Sequence, residues 1–241
     1  MKRPLLLVGI ACLFIAVMLL TAIAATAQQL QGAWQLSTPG QVHQTVRIIA
    51  DNYFVETAYD MTAKQFIRSH GGTIKATTDA IEERIEFNTD NKGTVGSTSN
   101  TTFSLDGSNL TIVRNGKQET WKRLDDGNAP LAGNWHITAR EQDGKMSAIH
   151  TTGTRKTVKI LSGTRFQWAA IDPGTQSFSG TGGGTYTFKD GKYTETIEFF
   201  SRDNSRVGMS LSFDGKVDGK NWHHFGLSSK GDKISEIWSR D

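Results

Sequence analysis

Leu30-Gln-Gly32-Ala-Trp34-Gln-Leu36 returns 101 residues later as Leu131-Ala-Gly133-Asn-Trp135-His-Ile137. Beyond it the shift becomes 112, and Thr45 to Gly96 aligns without a gap on Thr157 to Gly208, with 16 identities in 52 positions. Phe54 meets Phe166, Phe66 meets Phe178, and Gly71-Gly72-Thr73 meets Gly183-Gly184-Thr185. Ile85-Glu86-Phe87 meets Ile197-Glu198-Phe199, and Glu119-Thr-Trp121-Lys-Arg123 near the end of the first copy resembles Glu236-Ile-Trp238-Ser-Arg240. The change of shift places an 11-residue insertion in the second copy, around Gln142 to Thr152. A period near 100 residues is the size of a small domain, too long for a solenoid unit. The chain therefore reads as one domain written twice.

Within each copy the hydrophobic period is two. Tyr193, Ile197 and Phe199 alternate with Thr194, Thr196 and Glu198, and Val207 to Phe213 and Asp232 to Arg240 alternate similarly. Such short runs are strand signals. Turn residues separate them: Asp143-Gly144, Asp172-Pro173-Gly174, Asp190-Gly191, Asp214-Gly215 and Lys230-Gly231. Asp-Gly between alternating runs is a hairpin cue. Eight strands are expected in the second copy, at 134–140, 155–162, 164–171, 184–189, 192–200, 207–214, 220–228 and 232–239. Met61 to His70 and its counterpart Pro173 to Gly182 read as a loop or lid, and Gly182-Gly183-Gly184 as a turn with positive φ. Eight antiparallel strands remove their edges fully only by closing. The expectation is an all-β chain of two tandem eight-stranded up-and-down barrels.

Lys2 and Arg3 followed by apolar Leu5 to Leu20 and by Ala25-Thr-Ala27 match a signal peptide over 1–27, with an uncleaved anchor as the alternative. Membrane contact is then expected only through 4–27, and the chain is expected to be exported, periplasmic or secreted. The first barrel spans 28–124, a polar linker 125–130, and the second barrel 131–241. Cys12 is the only cysteine, so 28–241 holds no disulfide, thiolate metal site or cysteine nucleophile. Its 25 basic and 24 acidic residues leave +1, and no basic stripe suggests nucleic acid.

The opening Gly-x-Trp and the closing Arg resemble the lipocalin and calycin signature. The second copy also resembles the lipocalin-like domains of unknown function found in exported proteins of Gram-negative bacteria. That resemblance covers nearly all of 131–241. It is weaker over 30–124, where Gly72-Thr-Ile74 replaces Gly184-Thr-Tyr186. It implies that Trp plugs the closed end of each barrel with the basic side chain across its ring, pairing Trp34 with Arg123 and Trp135 with Arg240.

Glu83 sits between Ile81 and Ile85 on the inward face, and Glu195 sits among Tyr193, Ile197 and Phe199. An unpaired buried carboxylate is costly. Each is therefore either a ligand anchor or general acid/base, or is satisfied by the wet mouth of the barrel or by an interior Arg or Tyr. Phe166, Trp168, Phe178, Tyr186, Tyr193, Phe199 and Trp222 are candidate cavity walls, with ordinary core packing as the alternative. The first copy has Glu56 in place of Trp168 and Leu110 in place of Trp222, which favours the second barrel as the binding one. His223 and His224 are neighbours on a strand and point to opposite faces, so no metal site is expected, nor any cofactor or catalytic residue. The leading expectation is a carrier of a small, mostly apolar molecule, with a cavity of about 300 Å³ or more in the second barrel. A packed docking module of the cell envelope and an enzyme using an inward Glu are the competing readings.

Overall fold

The computed structural model describes residues 27–240 except Pro39 and Gln41. The expected signal or anchor segment, 1–27 with its 4–27 membrane contact, lies outside the described residues apart from Ala27. The first barrel is β1 (Gly32–Leu36), β2 (Gln44–Ala50), β3 (Tyr53–Asp60), β4 (Gln65–Ala76), β5 (Ala80–Asn88), β6 (Thr98–Asp106), β7 (Asn109–Arg114) and β8 (Lys117–Asp125). Each strand pairs antiparallel with the next, and β8 closes on β1. The second barrel is β9 (Gly133–Gln142), β11 (Lys156–Leu161), β12 (Arg165–Asp172), β13 (Ser177–Lys189), β14 (Lys192–Phe200), β15 (Ser210–Asp218), β16 (Asn221–Leu227) and β17 (Lys233–Ser239). It closes through β9 and β17. The insertion adds β10 (Lys145–Ala148), a flap hairpinned onto the far end of β9. The protein is thus two tandem closed eight-stranded antiparallel barrels of the lipocalin-like kind.

Asp143-Gly144, Asp190-Gly191 and Asn115-Gly116 have positive φ at both central positions, the type I′ turn that suits strand twist. Three expectations need correction. The region read as a loop or lid is strand on both sides of a turn: β4 starts at Gln65 and β13 at Ser177. Gly182-Gly183-Gly184 is not a turn but the middle of β13. There a Cβ on Gly184 would meet the Thr196 carbonyl oxygen at 2.0 Å, and one on Gly72 the Arg84 oxygen at 1.9 Å. Asp214-Gly215 lies inside β15, and the hairpin comes later. Gly215 serves packing instead: a Cβ there would touch the Trp222 indole nitrogen at 2.9 Å.

Those backbone approaches mark bulges. Gly183 pairs with Phe199 and Gly184 with Ile197, so Glu198 is the extra residue. Gly71 and Gly72 pair with Phe87 and Ile85 in the same way. A bulge reverses the inside–outside alternation beyond it. Ile197 therefore points into the barrel, while Phe199 points out.

Outward-facing residues build a core shared by the two barrels: Val46, Ile48, Val55 and Tyr59 of the first against Val158, Ile160, Ile171 and Phe199 of the second. Phe87 stacks on Phe178 with centroids 6.0 Å apart, and Phe66 lies 6.3 Å from Phe199. Under the repeat alignment these two contacts are the same contact, made once in each direction. That reciprocity defines an isologous, pseudo-twofold interface. Its polar spots are bonded across: Thr57 Oγ1 to Gln167 Oε1 at 2.7 Å, Tyr59 to Glu198 at 2.6 Å, and Lys156 to Glu86 at 2.8 Å. Asp125, at the end of β8, accepts from Ser162, Gly163 and Thr164, which pins the connection to the second barrel.

Candidate functional site

One end of each barrel is sealed alike. The Trp34 indole donates to the Leu30 carbonyl at 3.0 Å and Trp135 to Leu131 at 2.9 Å. Arg123 lies 4.0 Å above the Trp34 ring and Arg240 4.7 Å above Trp135. Such contacts contribute about 0.5–2 kcal/mol.

Above this base the two interiors diverge. In the first, Arg47 of β2 is fully buried and bonds Glu56 at 2.8 Å and, more closely, Glu83. Arg114 closes the cluster from β7, 3.4 Å from each carboxylate, and His70 stands 3.9 Å from Glu56. Burial pushes the Glu56 carboxyl up, but His70, Arg47 and Arg114 together outweigh it and hold it at about 2. Burial, aided by Arg114, lowers Arg47 to about 10 against the pull of Glu56. Inward charges are thus matched side chain by side chain.

In the second barrel the equivalent positions are Lys159 for Arg47, Glu195 for Glu83, Trp168 for Glu56, Gly182 for His70 and Gly226 for Arg114. Lys159 keeps the ion pair, 3.1 Å from Glu195, and its ammonium lies 4.5 Å from the Tyr193 ring centre. Two glycines now stand where the first barrel carries Arg and His. A cavity of about 780 Å³ opens above the pair, walled by Phe166, Trp168, Phe200, Phe213, Ile197 and Trp238 among others. Its polar lining includes Glu195, His224, Glu236 and Arg140. Glu236 accepts from Arg140 at 2.7 Å and from the Trp238 indole at 3.0 Å. Burial raises its carboxyl, but His224, Arg140 and Lys159 outweigh that and hold it at about 2. Burial lowers His224 despite Glu236 at 3.5 Å.

Both additions to the second copy border this cavity. The insertion after β9 supplies Ile149 and His150. A second, shorter one separates β16 from β17: residues 228–232 stand where the first barrel turns on Asn115-Gly116 alone, and Ser228, Ser229, Lys230 and Asp232 line the mouth. The sequence reading found the first insertion and missed the second, although the shift from 112 at Leu110/Trp222 to 117 at Trp121/Trp238 records it.

Of the residues expected at the site, Phe166, Trp168 and Glu195 line the cavity. Tyr186, Tyr193 and Trp222 lie beneath it in the packed base, where the Tyr193 and Trp222 rings meet edge to face at 5.0 Å. Phe178 and Phe199 do not belong there: the Glu198 bulge carries Phe199 to the inter-barrel core, and a second bulge, where Ala170 pairs with Gly180 and Ile171 with Phe178, carries Phe178 there. Phe200, beside Trp168 at 5.6 Å, takes the inward place expected of Phe199. Glu83 is inward as expected but bound within the ion cluster. Glu195 is met by Lys159 and by the Tyr193 hydroxyl at 3.0 Å, the satisfied-carboxylate alternative. His224 is buried and His223 exposed, on opposite faces. Outside both barrels a further hollow of about 790 Å³ follows their junction, lined by Gln28, Asp51, Tyr53, Asn134 and Lys156, and carries no aromatic wall like that of the second barrel.

No family model and no curated protein matches the chain. Among solved structures, a tryptophan-to-alanine mutant of the vaccine antigen Transferrin Binding Protein B from Haemophilus parasuis Hp5 aligns with 10% identity and a TM-score of 0.22. The alignment covers 85% of this chain and spans 62% of that one. A likeness so slight bears on neither fold nor function.

Proposed function

We propose that this protein binds a small, mostly apolar molecule in its second barrel, with the first barrel as a packed, structural partner. The observation that carries this reading is the cavity of about 780 Å³ between aromatic walls, set against a first barrel whose matching space holds Glu56, His70 and Arg114. Small-molecule sites commonly have such a volume, mostly apolar walls and a few fixed polar groups. Binding is favoured over catalysis because Glu195 and Glu83, the inward carboxylates, are each engaged by a basic side chain. The basic, apolar and small-residue pattern of 1–27 supports action outside the cytoplasm, as an exported lipocalin-like protein, and cell fractionation tests that location. Native mass spectrometry of the purified full chain tests the binding. A discrete adduct of small-molecule mass supports it; bare protein from several preparations, together with no uptake of an apolar dye, would sink it.

A further inference from the structure

The cavity of the second barrel carries more positive charge than a plain apolar container needs. Two of its cations are matched, Lys159 by Glu195 and Arg140 by Glu236. Arg155, Arg202 and Lys230 remain at its edge, with Asp232 as the one acid left over among the lining residues. None of the three cations makes an ion pair among the described residues.

The first barrel supplies the control. The counterparts of Gly180 and Arg202 are Arg68 and Asp90, an ion pair at 3.7 Å. In the second barrel the acid has become a cation and its former partner a glycine. The Arg202 guanidinium occupies the room this leaves: a Cβ on Gly180 would lie 2.3 Å from its Nε. That Nε donates to the Ser179 carbonyl at 2.6 Å, which seats the side chain at the edge of the cavity that Trp168 and Phe200 also line. The two insertions add Lys230 and His150 to the same mouth, where burial and the nearby Arg155 and Arg140 hold His150 below its ordinary value.

We infer that the ligand is an organic anion, an apolar body in the aromatic-walled cavity with a carboxylate-type head held at the mouth by Arg202 and Arg155. The inference rests on the carrier reading above and adds the charge of the ligand to it. A neutral apolar molecule gains nothing from unpaired guanidinium groups, whereas an anionic head forms charge-assisted hydrogen bonds with them. Those bonds are stronger beside a low-dielectric wall than in open water.

Two dyes separate the alternatives. 8-Anilinonaphthalene-1-sulfonate and N-phenyl-1-naphthylamine share one ring skeleton and differ by the sulfonate. Each is titrated into the full chain at low and high salt, with fluorescence as readout and mutual displacement as proof of a common site. The anionic dye is expected to bind about tenfold more tightly, less so in high salt. The preference should vanish in Arg202→Asp, which restores the acid of the first barrel at an exposed position. Circular dichroism verifies that this variant is folded, and Arg155→Ala gives a second reading if it is not. Equal affinities, or tighter binding of the uncharged dye, would overturn the anion proposal and leave the carrier standing. Binding of neither dye, together with no decanoate adduct in native mass spectrometry, would overturn both.

Discussion

The two barrels share a closing device and a strand plan, yet one is filled with charge and the other is hollow. The difference comes down to a few paired positions. Glu56, His70 and Arg114 cross the first interior, and Trp168, Gly182 and Gly226 replace them in the second. Lower down one change offsets the other. Phe103 and Leu110 of the first barrel become Gly215 and Trp222, and the large indole takes the room that the glycine gives up. A barrel thus keeps a well-packed base while its upper half is emptied, since the plug and the mouth use separate residues.

The sharpest test of this contrast is the basic residue on the second strand of each barrel. Arg47→Met leaves Glu56 and Glu83 buried with only the more distant Arg114 and His70 facing them, and should cost about 3–5 kcal/mol. Lys159→Met should cost less, since Glu195 borders the cavity and keeps the Tyr193 hydroxyl. Urea unfolding measures both, and equal losses would mean the two interiors are not energetically distinct.

Phe199→Ala comes next. It should destabilise by about 3 kcal/mol, as a buried aromatic truncation does, and leave dye affinity unchanged because the ring faces the other barrel. A change in affinity with little loss of stability would return Phe199 to the cavity wall. Removing one plug cation, by Arg123→Ala or Arg240→Ala, should cost about 1–2 kcal/mol in either barrel; thermal melts that separate the two would show unlike bases. The smallest stability effect is expected from replacing residues 228–232 with the Asn-Gly turn of the first barrel. Stability should stay within about 0.5 kcal/mol, while bound dye dissociates faster in stopped-flow displacement. An unaltered rate would remove that loop from the site.

Eight short alternating runs between turn pairs made barrel closure legible in the sequence, because closing is how such strands remove their edges. The resemblance carried by the repeated Gly-x-Trp and Trp-x-Arg ends implied the plug. Inward Glu83 and Glu195 were legible from alternation alone. Phe178 and Phe199 were not. A bulge is one residue long and leaves the composition unchanged, yet it reverses every side chain beyond it. The shared core did leave a trace. Val46 to Ala50 and Tyr53 to Tyr59 are buried on both faces. Strands buried on both sides read as apolar runs with weak alternation. Thr57 and Gln167, polar and outward, hid that signal, since their burial is explained by a network across the interface with each other, Ser69 and Thr181.

The reciprocal contacts of Phe87 with Phe178 and Phe66 with Phe199 bear on how the halves can diverge. In a pair of identical subunits every substitution is made twice, so hollowing one copy hollows both and strips the assembly of its rigid member. Covalent fusion lifts that constraint: the tether holds the mates at high local concentration, and each can drift alone. One half is then free to specialise as a vessel while its twin remains a buttress.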